Sequence, residues 1–254
     1  METLNPGNPF SLTGKRILVT GASSGIGRQI AISCSEMGAQ LIITGRNAER
    51  LASTFSALAG KDHSQIPADL NQPADVEHLI SKAGALNGLV HAAGTSKLVP
   101  FHLINQAHVE NTFRDNTFAP VLLTRNLISR KKIASEASII FIAAVASYAG
   151  PAASSAYSAS KSALLGATRS MAKDLAKQGI RVNCIAPGYV QTPMLEKLNL
   201  AGANQNTRTE WTPLGMGEPE DIANATIFYL SNASQAINQS YFTIDGGISI
   251  GMNL

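Results

Sequence analysis

Short apolar runs alternate with longer stretches of helical periodicity from one end of the chain to the other. Arg16 to Thr20, Gln40 to Thr44, Gly88 to His91, Ser138 to Ala143, Ile180 to Ala186 and Tyr241 to Ile244 read as strands. Most are rich in Ile, Val and Leu, the pattern of strands buried on both faces. Ser64 to Ile66 carries a shorter, weaker signal of the same kind. Between them lie helical stretches: Gly25–Met37, Ala48–Leu58, Pro73–Ala83, a long one around His102–Arg130, Ser155–Lys177 and Pro219–Leu230. Regular strand–helix alternation implies right-handed crossovers, and so predicts one α/β unit, a doubly wound parallel sheet of about seven strands with helices on both faces. No Pro/Gly/Ser-rich linker interrupts the pattern, so residues 12–254 read as a single domain after an N-terminal extension, 1–11. Thr192 to Met216 is polar and mixed and fits neither period. A long excursion after a late strand commonly covers the site in such a fold, and 192–216 is therefore read as a substrate lid.

Composition narrows the class. Of 254 residues, 44% are hydrophobic and 15% charged, enough apolar material for a substantial core. A net charge of +3 without a basic run gives no electrostatic footprint for nucleic acid. Cys34 and Cys184 stand apart, without the spacing of a disulfide framework or a zinc site. They are expected to be buried thiols in a reducing cytoplasm, and no metal is expected. Met1 to Ser11 has no apolar core of the kind a signal peptide carries, and no run approaches the ~18 apolar residues of a membrane span.

Candidate chemistry begins directly after the first strand, at Thr20-Gly21-Ala22-Ser23-Ser24-Gly25-Ile26-Gly27. Glycines permit a tight turn and close backbone approach, and the following helix aims free N–H groups at a pyrophosphate. The spacing is Gly-x-x-x-Gly-x-Gly, and its place between strand and helix marks a Rossmann-type dinucleotide turn. The second strand ends Thr44-Gly45-Arg46-Asn47. An NAD(H) site needs a carboxylate there for the ribose hydroxyls; Gly45 has none, and Arg46 can fork onto a 2′-phosphate. NADP(H) is thereby favoured over NAD(H). The alternative is that Arg46 is a solvated residue at a helix start.

Tyr157-Ser158-Ala159-Ser160-Lys161 is the second constellation. Tyr and Lys at i and i+4 project from one helix face. A phenol with its free pKa of about 10 holds its proton too tightly to cycle easily, and a nearby ammonium would lower that value.

The Thr-Gly-x-x-x-Gly-Ile-Gly turn, the Tyr-x-x-x-Lys pair after the fifth strand and Asp245-Gly246-Gly247 together resemble the short-chain dehydrogenase/reductase family over nearly everything after Ser11. Nearest in flavour are the 3-oxoacyl-acyl-carrier-protein reductases and similar carbonyl reductases. The resemblance implies hydride transfer between nicotinamide and a carbonyl or alcohol carbon. It implies that Gly21, Ser23, Ser24, Gly25, Ile26 and Gly27 hold the pyrophosphate and that Arg46 and Asn47 flank the adenosine ribose. Asp69 would meet the adenine amino group with Leu70 beside it, the alternative being an Asp that caps a strand–helix loop, and Ala92, Ala93 and Gly94 would run along the ribose. Pro187, Gly188, Val190 and Thr192 would meet the carboxamide. Tyr157 would protonate the carbonyl oxygen, Lys161 would lower its pKa and hold the ribose, and Asn116 would anchor a water in the proton relay. A homotetramer is expected from kinship, and the Ala-rich helix around Tyr157–Ala176 suits close helix packing. Tyr189, Met194 and Trp211 are candidates to line the substrate end.

Three departures stand out. Ser24 occupies a place where some NADP enzymes of the family carry a basic residue. His91-Ala92 replaces the usual Asn-Asn, and His91, ending a buried strand, is read as structural. The family places a serine 13 residues before the tyrosine to donate to the substrate oxygen; that residue here is Ala144. Losing one such donor costs about 3 kcal/mol, roughly 10²–10³ in rate. A deliberate Ser-to-Ala change that traps ligand, a neighbouring hydroxyl (Ser147, Ser154 or Ser155), or a naturally slow protein would each account for it. The leading expectation is an NADPH-dependent carbonyl reductase, with 3-oxoacyl thioesters, free or carried by acyl-carrier protein, as candidate substrates. The alternative is an NADP(H)-binding sensor or scaffold with vestigial catalysis.

Overall fold

A computed structural model describes residues 7–200 and 212–251. In chain order the strands are β1 (Arg16–Thr20), β2 (Gln40–Gly45), β3 (Ser64–Pro67), β4 (Leu86–His91), β5 (Ile133–Ile142), β6 (Arg181–Pro187) and β7 (Tyr241–Ile244). The helices are α1 (Gly25–Glu36), α2 (Ala48–Ser56), α3 (Pro73–Lys82), α4 (Gln106–Phe113), α5 (Ala119–Ser129), α6 (Ala146–Ala149), α7 (Ser155–Leu175), α8 (Pro193–Leu200), α9 (Pro219–Leu230) and α10 (Ile248–Gly251).

All seven strands are parallel, in the order β3-β2-β1-β4-β5-β6-β7. Alternate strand residues feed two separate cores. Ile17, Val19, Ile43, Ile140 and Ile185 pack with α1 and α9 on one face, whereas Leu18, Leu89, Ile139, Phe141 and Val182 pack with α3, α5 and α7 on the other. Burial on both faces is why these strands read as continuous apolar runs. The order reverses between β1 and β4, so a crevice opens beyond their carboxyl ends, where α/β sheets of this kind bind ligands.

Two stretches differ from the sequence reading. The helix expected over His102–Arg130 is divided: a short 3₁₀ turn at Phe101–Leu103 precedes α4, and a π-helical turn, Arg114–Phe118, joins α4 to α5. Pro120 supplies the physical reason, because it lacks the N–H that an unbroken α-helix would aim at the Asn116 carbonyl. β5 begins at Ile133 rather than Ser138, with its pairing to β4 shifted between Leu86 and Gly88 and Glu136 at φ 61. The polar Ser135-Glu136 pair hides this half of the strand from any periodicity. The excursion 192–216 contains α8, and a parallel bridge from Val190 to Gly217 joins the chain on either side of it. Residues 201–211, Trp211 among them, lie outside the described residues.

Candidate active site

A cavity of about 840 Å³ runs along the carboxyl ends of the strands from β2 to β6. The glycine turn forms its floor. Gly21 has φ +68, and a Cβ there would lie 2.6 Å from the Ala93 nitrogen. A Cβ on Gly27 would overlap the Gly21 carbonyl oxygen, so both positions require glycine for close approach. The turn is tied to the sheet by Ala22 N–H donating to Thr44 O (3.0 Å) and by the Thr54 hydroxyl donating to Ala22 O (2.9 Å). A Cβ on Gly45 would press on Ser23 Oγ at 3.1 Å, which leaves little room for a carboxylate at the end of β2. Asn47 caps α2, its Oδ1 accepting from Arg50 N–H (2.8 Å). Across the cavity Asp69 Oδ1 accepts from Asn71 N–H (3.0 Å), fixing the loop after β3.

Every residue assigned to cofactor contact in the sequence lines this one cavity, from Gly21 through Arg46, Asp69 and Gly94 to Pro187 and Thr192. The glycine cradle, a helix N-terminus with no acidic residue in its first turn and a cation beyond β2 suit a dinucleotide phosphate. Sequence reading missed Arg50, one turn beyond Arg46, as well as Asn71 and Asp115, all of which line the adenosine end. The i, i+4 spacing of Arg46 and Arg50 was a usable signal; Asp115, 69 positions from Arg46, gave none.

At the other end α7 presents Tyr157 and Lys161 to the cavity. Lys161 is buried, its ammonium donating to the Ile142 carbonyl (2.8 Å) at the end of β5. Burial pushes this ammonium down to about 8 and the Tyr157 phenol up to about 12. The expected lowering of the phenol by Lys161 is not seen in the protein alone: burial raises the phenol, and the ammonium is held against the Ile142 carbonyl. Asn116 does not line the cavity. Its amide is spent within the protein, with Oδ1 accepting from Thr95 N–H (2.8 Å) and Nδ2 donating to Thr95 O (3.0 Å) and Ser160 Oγ (3.0 Å). A Cβ on Gly94 would meet Asn116 Oδ1 at 3.0 Å and Lys161 Nζ at 3.3 Å, so the β4 loop, the π-turn and α7 converge there.

A family profile described as enoyl-(acyl carrier protein) reductase matches residues 21–249, spanning both the glycine turn and the Tyr157/Lys161 pair. The chain belongs to the short-chain dehydrogenase/reductase family. Curated relatives include the 3-oxoacyl-[acyl-carrier-protein] reductase of Rickettsia prowazekii, 36% identical over 94% of this chain and 98% of that protein. The 5-keto-D-gluconate 5-reductase of Escherichia coli is 32% identical over 96% and 98%. Among solved structures, one described as a 2-deoxy-D-gluconate 3-dehydrogenase of Agrobacterium tumefaciens with bound NADP superposes with TM-score 0.85, at 29% identity over 96% of this chain and 99% of that one. The fold, the nicotinamide chemistry and the oxidoreductase class follow from membership of this family.

Ala144 stands where the sequence resemblance implies a serine. This residue lines the cavity and has no donor. Of the three nearby hydroxyls, Ser147 is turned away: its Oγ donates to the Ala144 carbonyl and pairs with the Tyr241 hydroxyl (2.8 Å). Ser155 is exposed and off the cavity. Ser154 alone lines it, its Oγ donating to Pro151 O (2.5 Å) and paired with Ser158 Oγ (2.9 Å). His91 is structural, as its sequence position suggests. It stacks on Phe141 (centroids 4.8 Å apart, 13° between planes), and its Nε2 pairs with Thr124 Oγ1 (2.7 Å). Thr124 already donates to Pro120 O, so His91 Nε2 is the donor. Burial holds the imidazole neutral by pushing it down to about 3. This bond ties β4 to α5.

Proposed function

We propose that the chain is an NADPH-dependent carbonyl reductase that acts slowly because Ala144 removes one donor to the substrate oxygen. The observation that carries this reading is the convergence of Tyr157, Lys161 and Gly94 at one end of a cavity whose other end holds Arg46 and Arg50. A reduced nicotinamide bound there supplies the hydride. The phenol of Tyr157, fully protonated at neutral pH, gives its proton to the carbonyl oxygen as the hydride reaches the carbon, leaving an alcohol. Lys161 holds the ribose and stabilises the phenolate that remains. The Asn116 carbonyl, deprived of an α-helical donor by Pro120, is the atom to anchor relay water, since the side chain is already committed. Arg46 takes the 2′-phosphate, Asp69 and Leu70 the adenine, and Val190 and Thr192 the carboxamide, with α8 flanking the substrate through Met194 and Leu198.

The substrate end favours an acyl chain. Leu98, Val145, Ala152, Met194, Leu198 and Ile248 line it, and among the described residues Lys161 is the one charged group there. A keto-sugar acid would need a cation for its carboxylate. We therefore place 3-oxoacyl thioesters, free or carried by acyl-carrier protein, ahead of keto-aldonates. The test follows NADPH oxidation at 340 nm with a 3-oxoacyl thioester, a keto-aldonate and a small ketone panel, for this chain and for Ala144→Ser. A gain of about 10²-fold or more in the serine variant is expected, from the size of a single oxyanion-type donor. Equal inertness of both, with tight NADPH binding, would sink the reductase reading and leave an NADP(H)-binding sensor or scaffold.

A further inference from the structure

The π-turn that carries Asn116 presents the preceding residue, Asp115, to the opposite end of the cavity. Its side chain is mostly buried (20% exposed), and Asn71 Nδ2 donates to its Oδ1 (2.7 Å). Its other oxygen, Oδ2, lies 3.9 Å from Nη1 of Arg46, whose side chain is 60% exposed. Asn71 is itself fixed by Asp69, so the carboxylate stands on a rigid mount, whereas the guanidinium sits on a mobile stem. The contact crosses the adenosine end of the cleft, from the end of β2 to the far wall.

We propose that Asp115 sets the dinucleotide preference of the site by competing with the ribose 2′-phosphate for Arg46. This inference rests on the reading of Arg46 as the phosphate-binding cation. A phosphate monoester carries a charge of about −1.5 to −2 at neutral pH, and a fixed carboxylate nearby opposes it in two ways. It repels the phosphate directly, and it engages the cation that the phosphate requires. NADH brings a hydroxyl to the same place and meets neither cost. Asp115 thus holds NADPH affinity below what Arg46 and Arg50 would otherwise give, and narrows the gap between the two cofactors. Any effect of Asp115 on adenine packing or on the π-turn changes both affinities together, so the ratio of the two isolates its charge.

The test measures dissociation constants for NADPH and NADH by nucleotide fluorescence, for the natural chain, Asp115→Asn, Arg46→Ala and the double variant. Asparagine keeps the acceptor for Asn71 and removes only the charge. The expected result is a rise of about 3- to 10-fold in the preference for NADPH over NADH in Asp115→Asn, and a smaller rise when Arg46 is already absent. An unchanged preference, or NADPH affinity falling with NADH affinity steady, overturns the proposal. Should Arg46→Ala leave NADPH binding untouched, the phosphate assignment itself fails, and that outcome is read separately from the Asp115 result. Asp115→Ala repeats the measurement if the asparagine variant does not fold, with circular dichroism as the check.

Discussion

An ammonium enclosed by protein and held to one backbone carbonyl is costly to keep charged, and Lys161 is in that position. Its pKa falls from 10.5 to about 8 because burial disfavours the charged form. Between those values the unfolded chain binds more protons than the folded one, so stability rises with pH across that window. Tyr157 works in the opposite direction, with a phenol raised from 10 to about 12, but only above pH 10. Above pH 9 the buried thiols Cys34 and Cys184, both pushed up by burial, also oppose the gain, so the share of the lysine is read against a variant that lacks it. Relative to Lys161→Met, the natural chain should gain about 2 to 3 kcal/mol over that interval, at about 1.4 kcal/mol per pH unit. Urea unfolding of both proteins at each pH reads the difference, and a gap that stays constant would show that Lys161 titrates normally. Below pH 8 the same burial penalty accompanies a charged lysine beside the reaction centre, so the site gives up stability to hold it there.

At the scale of elements, local rules and tertiary demands meet at the glycines. Gly21 sits at φ +68 against the Ala93 backbone and tolerates nothing larger. Gly166, exposed in the middle of α7, is the opposite case: a Cβ there meets no atom within 4 Å. Gly166→Ala should stabilise the chain by about 0.5–1 kcal/mol, through helix propensity and the reduced freedom of the unfolded chain. A lowered midpoint in thermal or urea unfolding would mean that α7 is packed against something at that position. The same contrast explains what the sequence reveals. The strands and their parallel pairing are legible because burial on both faces leaves unbroken runs of Ile, Val and Leu. The glycine turn and the Tyr157/Lys161 pair are legible because their chemistry is set by short spacing. The π-turn is not, since Arg114 to Phe118 continues a helical pattern and only Pro120 hints at the break. Nor is the Arg46–Asp115 contact, which depends on how β2 and the end of α4 are brought together by the sheet. The side on which Ser147 turns is likewise decided by Tyr241, a residue 94 positions away.

At the scale of the whole molecule, two of the apolar surfaces left open among the described residues bear on assembly. One is the outer side of the π-turn and α5, where Phe118 and Leu122 are 53% and 57% exposed. The other is β7, an edge of the sheet, where Phe242 faces outward. Large exposed side chains clustered on a helix face and an unpaired strand edge are both surfaces that proteins cover. We propose that each patch pairs with its own copy about perpendicular two-fold axes, which would give a D₂ tetramer. The expected mass by light scattering is four chains, and Phe118→Asp with Leu122→Asp should reduce it to two, the β7 contact remaining. A monomeric natural chain at micromolar concentration, or a double variant of unchanged mass, would refute this arrangement. Assembly has a consequence for the site, because the π-turn that exposes Phe118 beside Leu122 of α5 also carries Asp115 and Asn116. A partner packed on that face would brace the π-turn from outside, and the double variant should lose NADPH affinity along with its tetramer.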